Sequence, residues 1–177
     1  MKNRIEIVAS GFGGQGVVRL GQIVGEAGVK QDLHVTMLKS HGTEMRGGYV
    51  RSQVVLSKSI IDSPMCESPD YFVALSKGAY DRFKDTVPAE GVIIYDPAFV
   101  EEIDESLPCA QKAFPAKDLS MEHFNNPLFA NTLVLGHMAK VIEGLDKDVV
   151  LESILMVIPK FHNRNRQAYQ IGYDYGN

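Results

Sequence analysis

Arg4-Ile5-Glu6-Ile7-Val8-Ala9-Ser10 alternates well enough to read as a strand. After Gly16 the period changes: Leu20, Ile23, Val24 and Ala27 share one face of a helix over residues 17–30. His34–Leu38 reads as a second strand. Tyr49–Leu56 reads as a third, with Val50, Ser52, Val54 and Leu56 on one face and Arg51 and Gln53 on the other. Lys58-Ser59 is expected to turn into a short strand at Ile60-Ile61, so that a hairpin interrupts the βαβ rhythm. Asp70–Leu75 and Gly91–Tyr95 are nearly continuous apolar runs, which suits buried central strands. Lys77–Lys84 should be helical, Phe99–Glu105 a solvated turn or short helix, and Cys109–Ala113 an edge strand.

The last third is helical in pattern. Pro127–Ile142 is apolar nearly all round, which predicts either a core helix or one covered by a partner. Leu151, Ile154, Leu155 and Ile158 mark another helix, ended by Pro159. Asn163–Ile171 forms a last one, with Gly172 as the expected C-terminal cap. Alternating strands and helices predict an α/β fold: a mostly parallel, Rossmann-like sheet flanked by helices, with a hairpin insertion. No linker or repeat interrupts the pattern, so residues 1–177 read as one domain.

Composition narrows the function classes. Hydrophobic residues make up 45% and charged ones 23%, enough for a core and too ordered a mixture for a disordered chain. The net charge of -4 argues against general affinity for nucleic acid or an anionic membrane. With no secretory h-region and no apolar run of transmembrane length, the chain reads as soluble and cytoplasmic. Cys66 and Cys109 form no C-x-x-C pair, and the five histidines show no ligand spacing, so no metal site is expected in this chain alone.

Two stretches carry candidate chemistry. Gly11-Phe12-Gly13-Gly14-Gln15-Gly16 lies at a strand-to-helix turn, where glycines allow close approach and the new helix offers free N–H groups and its positive dipole end. It is either an anion site or a tight turn that packs the first helix. The acidic residue that a nicotinamide-binding fold keeps after its second strand is missing; Lys39 and Ser40 stand there, which argues against NAD and leaves NADP open. The second stretch is Thr43-Glu44-Met45-Arg46-Gly47-Gly48. Arg46 could hold a carboxylate or phosphate, or simply pair with Glu44. Lys160, His162, Arg164 and Arg166 form a basic cluster, read as a solvated face, and His137 is read as a hydrogen-bonded interior or interface histidine. No serine sits in a G-x-S-x-G elbow, and the glycine turn lacks a P-loop ending.

G-x-G-G-Q-G at 11–16 followed by E-x-R-G-G at 44–48 resembles the γ subunit of 2-oxoacid:ferredoxin (acceptor) oxidoreductases. The resemblance runs on through Ile61-Asp62-Ser63-Pro64, the Asp70 strand, Asn131–Gly136, Asn165, Ala168 and Gly172. It implies an accessory subunit beside α, β and ferredoxin-like δ subunits, most like the 2-oxoglutarate branch. In that family a 2-oxoacid is decarboxylated on thiamine diphosphate, electrons leave through iron–sulfur clusters, and an acyl-CoA forms. The resemblance places the thiamine and the clusters on other subunits, so the isolated chain should be inactive. Separately, the apolar surface of the 127–142 helix or the adjacent glycine-loop edge is expected to stay partly exposed and make the isolated chain self-associate. It also implies a cofactor-binding or interface role for Gly11, Gly13, Gly14, Gln15 and Gly16. A substrate or interface role follows for Ser40, Thr43, Glu44, Arg46, Gly47 and Gly48. The competing reading is a stand-alone nucleotide-binding enzyme or sensor.

Overall fold

The computed structural model describes residues 2–41 and 49–176. Its strands are β1 (Arg4–Phe12), β2 (His34–His41), β3 (Tyr49–Ser57), β4 (Tyr71–Ala74), β5 (Val92–Tyr95) and β6 (Ala110–Ala113). They form one sheet in the order β2-β3-β1-β4-β5-β6. β1, β4, β5 and β6 pair in parallel, whereas β3 runs antiparallel to both β1 and β2. The helices are α1 (Val17–Lys30), α2 (Lys77–Phe83), α3 (Ala116–Phe124), α4 (Ala130–Val141), α5 (Lys147–Val157) and α6 (His162–Asp174).

Side-chain alternation sorts the sheet into two buried faces. Ile5, Ile7, Ala9, Val54, Leu56, Val73 and Ile94 pack with α1, α3, α4, α5 and α6. Val8, Val55, Phe72, Ala74 and Ile93 face the other way, onto Tyr80 and Phe83 of α2 and onto Val87, Val100 and Cys109. The second face is thinner, since α2 is the one α-helix on it among the described residues. Gly21 lets α1 lie close on the hairpin strands: a Cβ there would sit 2.3 Å from Ser52 Oγ.

Several expectations change in the folded chain. The hairpin is made by β2 and β3, not by Ile60-Ile61. β3 already has β2 on one side and β1 on the other, so a strand following it finds no free edge of β3 to pair with. The chain instead leaves the sheet, with the Lys58 N–H donating to Asn3 O at 2.9 Å and Ile60 exposed. α3 has no counterpart in the apolar pattern, because the residues it buries are Ala116 and Ser120. Gly172 does not cap α6 but lies inside it.

The helix expected from Pro127 begins with a 3-10 turn at Pro127–Phe129, and α4 proper is buried by this chain itself from Thr132 to Ala139. Its cover is mainly α6, which crosses so closely that a Cβ on Gly136 would lie 2.2 Å from Tyr169 O and one on Gly172 2.0 Å from Leu133 O. The all-round apolar character of α4 is therefore satisfied internally, and the apolar groups left exposed nearby are Leu128 and Phe161. His137 on α4 is buried as expected; neither ring nitrogen makes a well-formed hydrogen bond among the described residues, and the nearby Gly172 backbone only weakly favours its charged form. It is stacked on Phe114 with centroids 4.4 Å apart. Burial, helped by Lys112 and Lys140, lowers its pKa to about 4 and so keeps the ring neutral.

Candidate functional site

The parallel strands end around a cavity of about 770 Å³. Crevices at the carboxyl ends of such strands are where open α/β sheets bind ligands. One wall is the turn between β1 and α1. Gly14 and Gly16 take left-handed φ values of 92° and 72°, which a side chain would strain. Gln15 folds back across the strand ends: Oε1 accepts the Phe12 N–H at 2.6 Å and Nε2 donates to Leu75 O at 2.7 Å. Its carboxamide thus straps β1 to the end of β4. Gly11 is small because a Cβ there would sit 2.3 Å from that Oε1. A Cβ on Gly13 or Gly14 would meet no atom of the described residues within 4 Å, so with respect to them this backbone is open to an approaching group.

α1 has no side-chain cap and no acidic residue in its first turn. Its first N–H groups and dipole therefore present positive potential at the cavity mouth. Arg19, Lys117 and Lys160 add charge along the lining, and no ion pair among the described residues involves them.

The opposite wall comes from residues far away in the chain. Asn126 Oδ1 accepts the Leu128 N–H at 2.9 Å and shapes the 3-10 turn before α4. Asn131 follows, with its side chain against Gly16: a Cβ on that glycine would be 1.9 Å from Asn131 Nδ2. Thr132 Oγ1 donates to Asn165 Oδ1, and Asn165 Nδ2 donates to Lys160 O, both at 2.9 Å. This chain of bonds fixes the 158–161 segment, where Phe161 is held at φ 59° and is 54% exposed. A bulky residue in that region is costly and tends to persist where the surroundings impose it. The floor carries Asp96, 3% exposed, whose carboxylate accepts the N–H groups of Ala98 and Lys117. Burial raises its pKa, and the two N–H donors oppose that shift. Asp96 therefore works as an anchor for the start of α3.

Among the described residues the lining contains no histidine, cysteine or serine, and its one threonine, Thr132, is committed to Asn165. The site can bind and orient an anionic, partly apolar ligand; it holds no nucleophile paired with a base. Among the described residues no cluster of histidine, cysteine or carboxylate side chains is placed to hold a metal. Likewise, no helix among them is long and apolar enough to cross a membrane.

The structure brings Gly11, Gly13, Gly14, Gln15 and Gly16 together at one wall, with Gln15's side chain already occupied. Ser40 lies on the edge strand β2, two strands from β1, as the cross-strand partner of Arg51. Thr43, Glu44, Arg46, Gly47 and Gly48 lie outside the described residues. The strand that follows them starts beside the glycine turn, since Tyr49 pairs with Phe12. The residues that pattern reasoning missed are Arg19, Asp96, Lys117, Asn126 and Phe161. Asn131 and Asn165 were flagged by the family resemblance alone.

A family model described as pyruvate ferredoxin/flavodoxin oxidoreductase matches residues 6–175. The chain belongs to this family. Subunit KorC of 2-oxoglutarate synthase from Methanocaldococcus jannaschii is 34% identical over 98% of this chain and 95% of its own length. The KorC subunit of Archaeoglobus fulgidus is 30% identical over 99% and 90%. Subunit VorA of ketoisovalerate oxidoreductase from Methanothermobacter thermautotrophicus is 32% identical, over 85% of this chain and 31% of that protein. Among solved structures, the γ subunit of a keto/oxoacid ferredoxin oxidoreductase from Geobacter sulfurreducens superimposes with a TM-score of 0.84 at 27% identity, over 96% of each chain. These likenesses bear out the γ-subunit resemblance read from the two glycine motifs. They also support its consequence, that the chain is one subunit of an oxidoreductase complex.

Proposed function

We propose that this chain is the γ-type accessory subunit of an oxidoreductase that converts 2-oxoglutarate and CoA to an acyl-CoA, passing electrons to ferredoxin. The observation that carries the substrate is the end-to-end match to two KorC subunits of 2-oxoglutarate synthase. Thiamine diphosphate and iron–sulfur clusters, on α, β and δ partners, supply the decarboxylation and the electron path. This chain's own part is to bind and orient. The open backbone at Gly13 and Gly14, the uncapped start of α1, and Arg19, Lys117 and Lys160 offer a phosphate-bearing molecule an anion-binding rim. Leu128, Phe129 and Ile158 offer its apolar arm a wall. A 2-oxoglutarate:ferredoxin oxidoreductase from Magnetococcus marinus, described with coenzyme A and succinyl-CoA bound, contains this fold as part of a longer chain.

The stand-alone nucleotide-binding reading is disfavoured by strand order. In a dinucleotide fold the second strand lies next to the first and presents the ribose-binding residue there. Here β3 lies between them, so Lys39 on β2 is one strand too far away. The test is co-expression with the partner subunits, followed by CoA-dependent reduction of a viologen dye with 2-oxoglutarate, pyruvate or 3-methyl-2-oxobutanoate. Activity that requires this chain and prefers 2-oxoglutarate is expected. Equal turnover without the chain would overturn the subunit role, and preference for another acid would overturn the substrate.

A further inference from the structure

On the thin side of the sheet, away from the cavity, two guanidinium groups are held against aromatic rings. Arg51 Cζ lies 4.9 Å from the centroid of Phe83. Arg82 Cζ lies 4.6 Å from that of Tyr49 and 5.9 Å from that of Phe83. Tyr49 and Phe83 meet edge to face at 5.2 Å, so the four side chains form one stack joining β3 to α2. Neither arginine has an ion pair among the described residues. The carboxylate one residue before Arg82, Asp81, is taken by Lys77. Among the described residues, Arg51 Nε is buried with no hydrogen-bond partner, and so is Oγ of Ser40. Ser40 and Arg51 are direct cross-strand partners, so both side chains lie on this face. Beside the stack, a depression of about 290 Å³ is lined by Phe12, Tyr49, Ser76, Ala79, Arg82 and Asp81, the last neutralised by its pair with Lys77, with Phe12 43% exposed.

The half-buried guanidinium of Arg51 has lost water, and the rings offset only part of that cost, which an anion would offset more fully. Arginine stacked on a ring keeps its N–H fork in a fixed plane, the geometry that receives a carboxylate through two parallel bonds. Arginine and tyrosine beside an exposed aromatic are also the residue types that dominate protein–protein hot spots.

We propose that this β3–α2 face docks a carboxylate-bearing segment of a partner subunit, with Arg51 and Arg82 as its counter-ions and Phe12 as the apolar anchor beside them. The inference rests on the reading of the chain as a subunit of an oxidoreductase complex. On a chain of net charge -4, such an island of positive charge fixes the partner's register.

The test uses the full chain co-expressed with the other subunits, in two variants of the exposed Arg82. Arg82→Lys places an amine where a zero-length carbodiimide can join it to a touching carboxylate, which the native guanidinium cannot do. The expected product joins position 82 to an aspartate or glutamate of a partner subunit. Arg82→Glu gives up the exposed contacts with Tyr49 and Phe83, so its melting temperature should fall by only a few degrees. Assembly, measured well below that midpoint, should weaken at least tenfold (about 1.4 kcal/mol), with a shallower salt dependence. Assembly of Arg82→Glu at wild-type affinity, or a product joining position 82 to a second copy of this chain, would overturn the inference alone. A wild-type chain that fails to assemble with those subunits would overturn the complex reading, and this inference with it.

Discussion

Replacing Gly172 by alanine sets two opposed effects against each other, and the structure decides between them. Gly172 lies inside α6, where alanine is favoured over glycine by about 1 kcal/mol. Its Cβ, however, would stand 2.0 Å from Leu133 O, 2.8 Å from Leu133 C and 3.0 Å from Leu133 Cα. All three are backbone atoms of α4, so no rotamer change relieves the clash. Nonbonded heavy atoms settle about 3.5 Å apart or more, so the helices must separate by roughly 1.5 Å at that point. Overpacking of this kind costs typically 1–3 kcal/mol, and a backbone-to-backbone clash belongs near the upper end. The net loss is then about 2 kcal/mol. For a chain of this length each kcal/mol is about 2–4 °C, so the midpoint should fall by roughly 4–8 °C.

The control is Gly25→Ala in α1, also buried and helical, where a Cβ would meet only Val35 Cγ1 at an ordinary 3.5 Å. There the propensity gain stands unopposed and the midpoint should rise. Calorimetry of the three chains provides the comparison. An unchanged or higher midpoint for Gly172→Ala would refute the close α4–α6 crossing, and so the placement of the cavity wall that depends on it.

Neutral His137 makes stability depend on pH: its folded pKa of about 4 lies below the ordinary 6.5, so the contribution is present above pH 6.5 and lost as pH falls towards 4. The loss should be about 2–3 kcal/mol, and His137→Phe should flatten the difference between urea midpoints measured near neutral and near the lower limit; parallel curves would count against it. Gly14→Ala should stay folded at a cost of about 1 kcal/mol from its left-handed φ, yet lose CoA-dependent activity in the reconstituted complex, because the new Cβ would be the first atom an approaching group meets. Full activity would make that turn structural only. Burial pushes the Cys66 thiol up to about 12, so native-state alkylation should be slow and accelerate in urea; rapid stoichiometric labelling of the folded chain would contradict that burial.

What the sequence revealed follows from which interactions are local. β1, β3, β4 and β5 were legible because their two faces differ or are both apolar over several residues. The partner of β3 was not, because period-2 patterning says which face is buried and nothing about which strand lies alongside. The turn at Lys58-Ser59 therefore looked like a hairpin, although β3 had paired backwards with β2. α3 escaped notice because it buries an alanine and a serine instead of an apolar stripe. The apolar girth of α4 is visible in sequence and left a core position and a partner's cover both open, whereas the α6 crossing that covers it depends on Gly136 and Gly172. The glycine wall of the cavity was likewise a local signal. The other wall needs Asn126, Asn131, Asn165 and Phe161 to converge from separate segments, and a positive φ at a phenylalanine leaves no trace in composition.

Placing β3 between β1 and β2 also changes what the glycine turn can face. In a dinucleotide fold a ligand spreads from the turn towards the second strand. That route is closed here, because Tyr49 pairs with Phe12 and Ser52 fills the space against Gly21. The cavity consequently opens the other way, over Leu75, Asp96 and the 126–131 segment. The turn thereby separates two surfaces: Gln15 lines the cavity, and Phe12 lines the depression next to Arg82. The two residues are joined by the 2.6 Å bond from the Phe12 N–H to Gln15 Oε1. A partner that moves Phe12 therefore has to strain or release the strap that also holds Leu75 O. The cavity and the depression thus lie on either side of one hydrogen bond, which is where any coupling between them would have to pass.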